Sequence, residues 1–179
     1  MNNIWIKIIG GVSMTQVTFG GKPVTLVENE VNVGDQAPAF TVVDQNLNDV
    51  TFDDFTGQVT LISVIPSVDT GVCDAQTRRF NEEAAKLDGV RVITISADLP
   101  FAQSRWCAAA GIEHLQVVSD HRDLSFGNTY GVHMKELRLL ARSIFVIDRS
   151  GKVTYKEIVP EVSSHPNYEK AIEAAKSAK

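Results

Sequence analysis

The chain reads as a single α/β domain, and three features of its residue pattern predict this. Val59–Ile65 and Val90–Ser96 are nearly continuous apolar runs, the character of strands covered on both faces. A segment with helical spacing follows each of them, so strands and helices alternate in the manner of an α/β sandwich. With 179 residues, 44% of them hydrophobic, the chain suits one domain that buries about 70% of the surface exposed when unfolded.

Taken in order, the elements begin with an ambiguous segment. Ile4–Val12 is apolar enough to suggest an export signal, yet no basic segment precedes it, Lys7 interrupts it and no A-x-A site follows. Export is not expected, which leaves the cytoplasm. Met14 is read as the functional start, residues 1–13 as an upstream extension or expression remnant, and 14–179 as the domain. The alternative for residues 1–13 is an extra strand or an ordered tail. Thr15–Phe19, a turn at Gly20–Pro23 and Val24–Val27 read as a β-hairpin.

Beyond the strand at Val59–Ile65, positions 73, 77, 80, 84 and 87 (Cys, Thr, Phe, Ala, Leu) recur at helical spacing. After the second buried strand, Pro100–Ala110 is a helix with Pro near its first position and Gly111 past its end. Gln116–Ser119 reads as a short strand and Leu124–Tyr130 as a short helix with Phe126 and Tyr130 on one face. Ile144–Ile147 and Val153–Val159 flank a hairpin turn at Asp148–Gly151, and Tyr168–Ala178 closes the chain as a helix. No internal repeat or low-complexity stretch is visible.

Charge and composition exclude several functions. The formal net charge of −5 and the scattered Lys and Arg argue against nucleic acid and anionic membranes as partners. No apolar run reaches the ~20 residues of a spanning helix. Two cysteines in a domain of this size do not make a disulfide scaffold, since the core supports itself. They form no C-x-x-C pair. His114, His121, His133 and His165 stand at no zinc-site spacing from the cysteines, so neither a metal nor another cofactor is expected.

Cys73 is the residue whose context carries chemistry. It lies where a buried strand gives way to a helix, facing inward in the first turn, where free backbone N–H groups and the positive end of the helix dipole favour a thiolate. A free thiol is only ~3% ionised at pH 7, so complete ionisation raises its rate roughly 30-fold, about 2 kcal/mol. That is too little for an efficient enzyme, and a readily ionised thiolate is intrinsically less nucleophilic. Other groups must stabilise charge moving onto a leaving group. Thr70, three residues earlier, offers a hydroxyl, although Thr is also a common N-cap with no chemical role.

The spacing P-x-x-x-T-x-x-C, here Pro66 to Cys73, resembles the peroxidatic motif of peroxiredoxins. Together with Ser96–Gln103, the following Trp106 and Cys107, and the segment LLARSIFVID ending at Asp148, it is similar to the bacterial thiol peroxidase subfamily, an atypical 2-Cys group. The likeness runs from about Met14 to the C-terminus. It implies a thioredoxin-like fold, reduction of hydrogen peroxide and organic hydroperoxides to water or alcohols, regeneration by thioredoxin, and a homodimer.

The resemblance also implies roles for individual residues. Cys73 becomes a sulfenic acid, and Cys107 condenses with it to an intrachain disulfide. Pro66 shields the sulfur from bulk solvent. Arg142, which by itself reads as a solvated charge at a strand start, matches the arginine whose fork holds thiolate and peroxide together. Closing the disulfide restricts the unfolded chain by roughly 4 kcal/mol, and two helical cysteines meet only if their Cα atoms come within about 7 Å, so local unwinding is expected. Arg78 and Arg79 read as helix-surface charges and Trp106 as a packing residue.

Two departures stand out. Gly71 occupies a position where many members carry Pro, and Val132–Leu139 differs from the Gly-Pro-rich loop common in relatives, which bears on the pocket rim. Two other functions compete: a thiol-disulfide oxidoreductase, disfavoured by the missing C-x-x-C, and a redox-sensing or chaperone-like module, distinguished by peroxide consumption with excess reductant.

Overall fold

The computed structural model describes residues 5–9 and 12–178, with side chains from Gln16 onward. In chain order the strands are β1 (Trp5–Ile9), β2 (Val12–Phe19), β3 (Lys22–Thr25), β4 (Thr41–Val43), β5 (Asp49–Thr51), β6 (Val59–Val64), β7 (Val90–Ser96), β8 (Gln116–Ser119), β9 (His133–Met134), β10 (Leu139–Leu140), β11 (Ser143–Ile147) and β12 (Val153–Ile158). The helices are α1 (Gly71–Ala84), α2 (Pro100–Ala110), α3 (Ser125–Thr129) and α4 (Tyr168–Ser177).

A seven-stranded sheet in the order β12-β11-β6-β7-β8-β4-β5 forms the centre. β6, β7 and β8 run parallel, and β11 and β4 join them antiparallel on either side. All six residues of β6 are buried, as a strand covered on both faces requires. Their alternation feeds two cores. Val59 and Leu61 pack with Phe80 of α1 and Ala171, Ile172 and Ala175 of α4, whereas Ile62 and Val64 pack with Phe126, Tyr130 and Phe145. Phe126 and Tyr130 stack at 4.2 Å between centroids, the shared face expected of α3.

Helix α2 lies beside α1: Trp106 Nε1 donates to Asp74 Oδ1 at 3.1 Å, and Arg78 Nη1 to the Ala110 carbonyl at 3.0 Å. Its bounds agree with the sequence reading, and Gly111 ends it in the left-handed conformation that spares a glycine the Cβ clash.

The N-terminal hairpin forms with a tighter turn than expected. Phe19 pairs with Lys22, so Gly20 and Gly21, both with positive φ, make the whole loop. Such a turn follows the twist of its strands. β1 pairs with β2 along Trp5–Ile9 and extends this sheet to three strands. Leu87, counted with the helical face, lies beyond the end of α1 but is buried in the same core. Residues 133–140 form the small β9–β10 hairpin.

Candidate active site

Strand β6 stops where Pro66 removes the next ladder N–H, and the chain crosses Ser67–Thr70 before turning into α1. Pro66 is buried, and Val68, Ile65 and Cys73 form a small apolar cluster against which Trp106 packs. Cys73 occupies the third position of α1, and the residue is 0% exposed. Thr70 is the N-cap by backbone conformation, but its hydroxyl makes no bond to a helix amide. Instead Oγ1 donates to Cys73 Sγ at 2.7 Å. The two sequence readings of Thr70 therefore coincide in place, and the side chain is turned to the sulfur.

Arg142 immediately precedes β11 and is 1% exposed, which corrects its reading as a solvated charge. The sheet order puts β11 next to β6, so the guanidinium reaches the start of α1. All three of its nitrogens are engaged: Nε donates to the Val162 carbonyl at 2.7 Å, Nη1 to Gln76 Oε1 at 2.7 Å and Nη2 to Cys73 Sγ at 3.3 Å. Among the described residues no carboxylate lies within ion-pair distance of it. Two of its hydrogen-bond partners are neutral oxygens and the third is the Cys73 sulfur.

Gln76 was not singled out in the sequence. Fully buried, it accepts from Arg142 and donates from Nε2 to Ser63 Oγ at 2.8 Å, tying α1 to β6. Its spacing from Cys73, one turn along the inward face, carried the signal; a glutamine does not stand out in a search for apolar periodicity. Asp74 was also missed. Its carboxylate receives Trp106 Nε1 and pairs with Arg78 at 2.9 Å, so Trp106 adds a hydrogen bond to its expected packing. Arg78 and Arg79 sit on the helix surface as read, with side chains 47% and 45% exposed.

Cys107 lies elsewhere. It stands in the last turns of α2, 9% exposed, and accepts a hydrogen bond from Gln45 Nε2 at 3.3 Å. Burial pushes its thiol up, with the Gln45 contact opposing, so it stays protonated at neutral pH. It lines an open cleft of about 830 Å³ together with Arg91, His114, Gln116 and Arg149, a cleft of which Cys73 is no part. Both cysteines are free thiols. The structure thus gathers Pro66, Thr70, Cys73 and Arg142 at one point and leaves Cys107 apart from them.

A buried thiol at a helix start, clasped by a hydroxyl and an arginine fork beside a parallel β6-β7-β8 core, places the molecule in the redoxin class. The Redoxin family model matches residues 32–172. A thiol peroxidase of Bacillus subtilis is 66% identical over 164 residues, spanning 92% of this chain and 98% of the relative, and one of Listeria monocytogenes is 64% identical over 165 residues, spanning 92% and 100%. A peroxiredoxin-like protein from Aquifex aeolicus superposes with a TM-score of 0.86 at 41% identity, covering 91% of this chain and 97% of that one. A thiol peroxidase from Chromobacterium violaceum, at 21% identity and TM-score 0.81 over 88% and 93%, shares the fold.

The chain belongs to the bacterial thiol peroxidase family. It has the thioredoxin-like fold and is a thiol-dependent peroxidase, a peroxiredoxin that reduces hydroperoxides at the expense of a thiol reductant.

Proposed function

We propose that Cys73 is the peroxidatic nucleophile and Cys107 the resolving thiol. The observation that carries this reading is the placement of Cys73 Sγ between Thr70 Oγ1 at 2.7 Å and Arg142 Nη2 at 3.3 Å. Donors fixed before reaction stabilise the thiolate and the charge that develops as the O–O bond stretches, without reorganising. The thiolate attacks one peroxide oxygen, the O–O bond breaks, and the departing oxygen takes a proton to leave as water or an alcohol. Cys73 is then a sulfenic acid. Cys107 loses its proton as its sulfur displaces that hydroxyl as water, giving the Cys73–Cys107 disulfide.

In this reading Pro66 and Val68 keep bulk water from the sulfur, and Gln76 holds the guanidinium against it. Because the two cysteines occupy separate surroundings, formation of the disulfide requires the first turn of α1, the end of α2, or both, to open. Thioredoxin supplies the two electrons that restore the dithiol, and the enzyme works as a homodimer in the cytoplasm. The test couples peroxide consumption to thioredoxin and its reductase, with peptide mapping of protein quenched in mid-cycle. Thioredoxin-dependent turnover with an intrachain Cys73–Cys107 peptide pair is expected. Turnover with small thiols alone, or a different pair, overturns the assignment.

A further inference from the structure

The segment Ser96–Gln103 was singled out by resemblance but has no part in the chemistry above. In the structure its polar side chains connect the two cysteine-bearing regions. Asp98, just past β7, accepts three hydrogen bonds on its carboxylate: from Ser67 Oγ at 2.8 Å, from the Val68 backbone N–H at 2.8 Å and from Ser96 Oγ at 2.6 Å. Ser67 and Val68 belong to the crossing that delivers Thr70 and Cys73, and Val68 packs directly in the Cys73 cluster. Ser96 Oγ in turn accepts from Gln103 Nε2 at 2.9 Å, and the same Nε2 donates to the Val118 carbonyl at 2.8 Å. Gln103 is fully buried and lies one turn before Cys107 on α2. The backbone of Asp98 is itself tied down, its carbonyl accepting from Ser119 Oγ.

We propose that Asp98 is a positioning residue that latches the Ser67–Thr70 crossing in its attack-ready form and, through Ser96 and Gln103, fastens it to the helix carrying the second thiol. The inference rests on the two-cysteine cycle proposed above. A carboxylate suits the task because its two oxygens take three donors at once. Ser67 Oγ also accepts from the Asp69 N–H at 3.2 Å, so the grip extends to the residue before the N-cap. The latch favours the first step, in which Thr70 Oγ1 must stay on Sγ, and opposes the second, in which the two regions must part from their packed positions. Loss of Asp98 therefore slows oxidation of Cys73 and does not slow closure of the disulfide.

Electrostatics alone predicts the contrary for the first step, since removal of a negative charge from this crossing favours a nearby thiolate. The experiment mixes reduced wild type, Asp98→Ala and Asp98→Asn with one equivalent of hydrogen peroxide. Chemical quench and mass spectrometry then follow Cys73 oxidation and disulfide appearance separately, with the thiolate fraction read from ultraviolet absorbance.

For Asp98→Ala, Cys73 oxidation is expected to slow by roughly ten- to hundredfold, with a thiolate fraction no lower than wild type and a disulfide step at least as fast. Asp98→Asn keeps the shape and an acceptor for the Val68 N–H, so it shows a smaller loss of the same sign. It also stands in should the alanine variant not fold. Oxidation of Cys73 at the wild-type rate overturns the proposal, as does a loss that merely tracks the thiolate fraction or the unfolded fraction. Should wild type form no intrachain disulfide, the two-cysteine cycle fails instead, and the Cys73 oxidation rates still decide the role of Asp98.

Discussion

The two cysteines differ in what surrounds them more than in how deeply they are buried. Cys73 sits at the start of a helix with a hydroxyl and a guanidinium aimed at its sulfur, whereas Cys107 sits near the end of one, with a single neutral amide on it. The N-terminal end of a helix stabilises an anion and the C-terminal end opposes one. In the proposed cycle the first thiol attacks and the second, its pKa pushed up by burial, resolves. Burial alone decides nothing about a cysteine; the donors and dipoles that accompany it do.

The sharpest way to break this contrast is to remove each sulfur in turn. Cys73→Ser is expected to abolish peroxide consumption while the fold persists. Cys107→Ser should still consume one equivalent at a near-wild-type rate, stop at the sulfenic acid and fail to turn over with thioredoxin. Its sulfinic acid should then build up with peroxide dose, read by intact mass. Sustained turnover by Cys107→Ser at the wild-type rate would show the second thiol to be structural.

Next in size is the arginine fork. Arg142→Lys retains a cation but not the geometry that reaches Val162, Gln76 and Sγ together. First-turnover peroxide reduction is expected to fall by roughly a hundredfold, more than the change in thiolate absorbance accounts for. A loss equal to that change would reduce Arg142 to a charge.

A fourth substitution lies in a region that should leave both cysteines alone. Asp120 is buried, accepts the Phe126 and Gly127 N–H groups at 3.0 and 2.8 Å, and has its carboxyl pushed up to about 6 by burial. A carboxyl raised in the folded state is held protonated there more readily than in the unfolded chain. Its contribution to stability is thus full at low pH and lost as pH climbs through about 6, a change of up to about 3 kcal/mol. Asp120→Asn should remove this slope: thermal melts of wild type minus variant should fall steadily between about pH 4 and pH 7, with first-turnover rates unaffected. A difference independent of pH would contradict the assignment.

The smallest effect concerns the start of α1. Gly71 is its first helical residue, a Cβ there meets no atom within 4 Å, and Thr70 before it has φ −102° and ψ 146°, the extended conformation that a following proline demands. Gly71→Pro is expected to stabilise by about 0.4–1 kcal/mol, a rise in Tm of about 2 °C, with the first turnover preserved. A fall in Tm would mean that the N–H or the freedom of glycine is needed at this turn.

Legibility from sequence followed the source of order in each element. β6, β7, β8 and α2 were readable because two-sided burial produces continuous apolar runs and because Pro100 and Gly111 mark a helix at both ends. β4, β5 and the 3₁₀ turn at Phe52–Phe55 were not read; three- and four-residue pieces hold their shape through neighbours such as Phe40 and Arg91, which local pattern does not reveal. Within the site, Cys73 and Thr70 declared themselves by spacing along one turn. Arg142 did not, since its burial depends on β11 lying beside β6, and only resemblance pointed to it. Gln76 and Asp98 escaped because each acts through contacts with another segment of the chain.

Among the described residues no carboxylate pairs with Arg142, which gives the sulfur a second occupation in the proposed cycle. An aspartate or glutamate there would keep the guanidinium neutralised whatever the state of Cys73. With only a carbonyl and an amide as its other hydrogen-bond partners, the arginine in the proposed cycle has a counterion in the thiolate and loses it when the sulfur becomes a neutral disulfide. On that proposal the oxidation state of one atom is written into the cohesion of the fold around it, and the charge that attacks the peroxide is also the one that steadies the buried arginine.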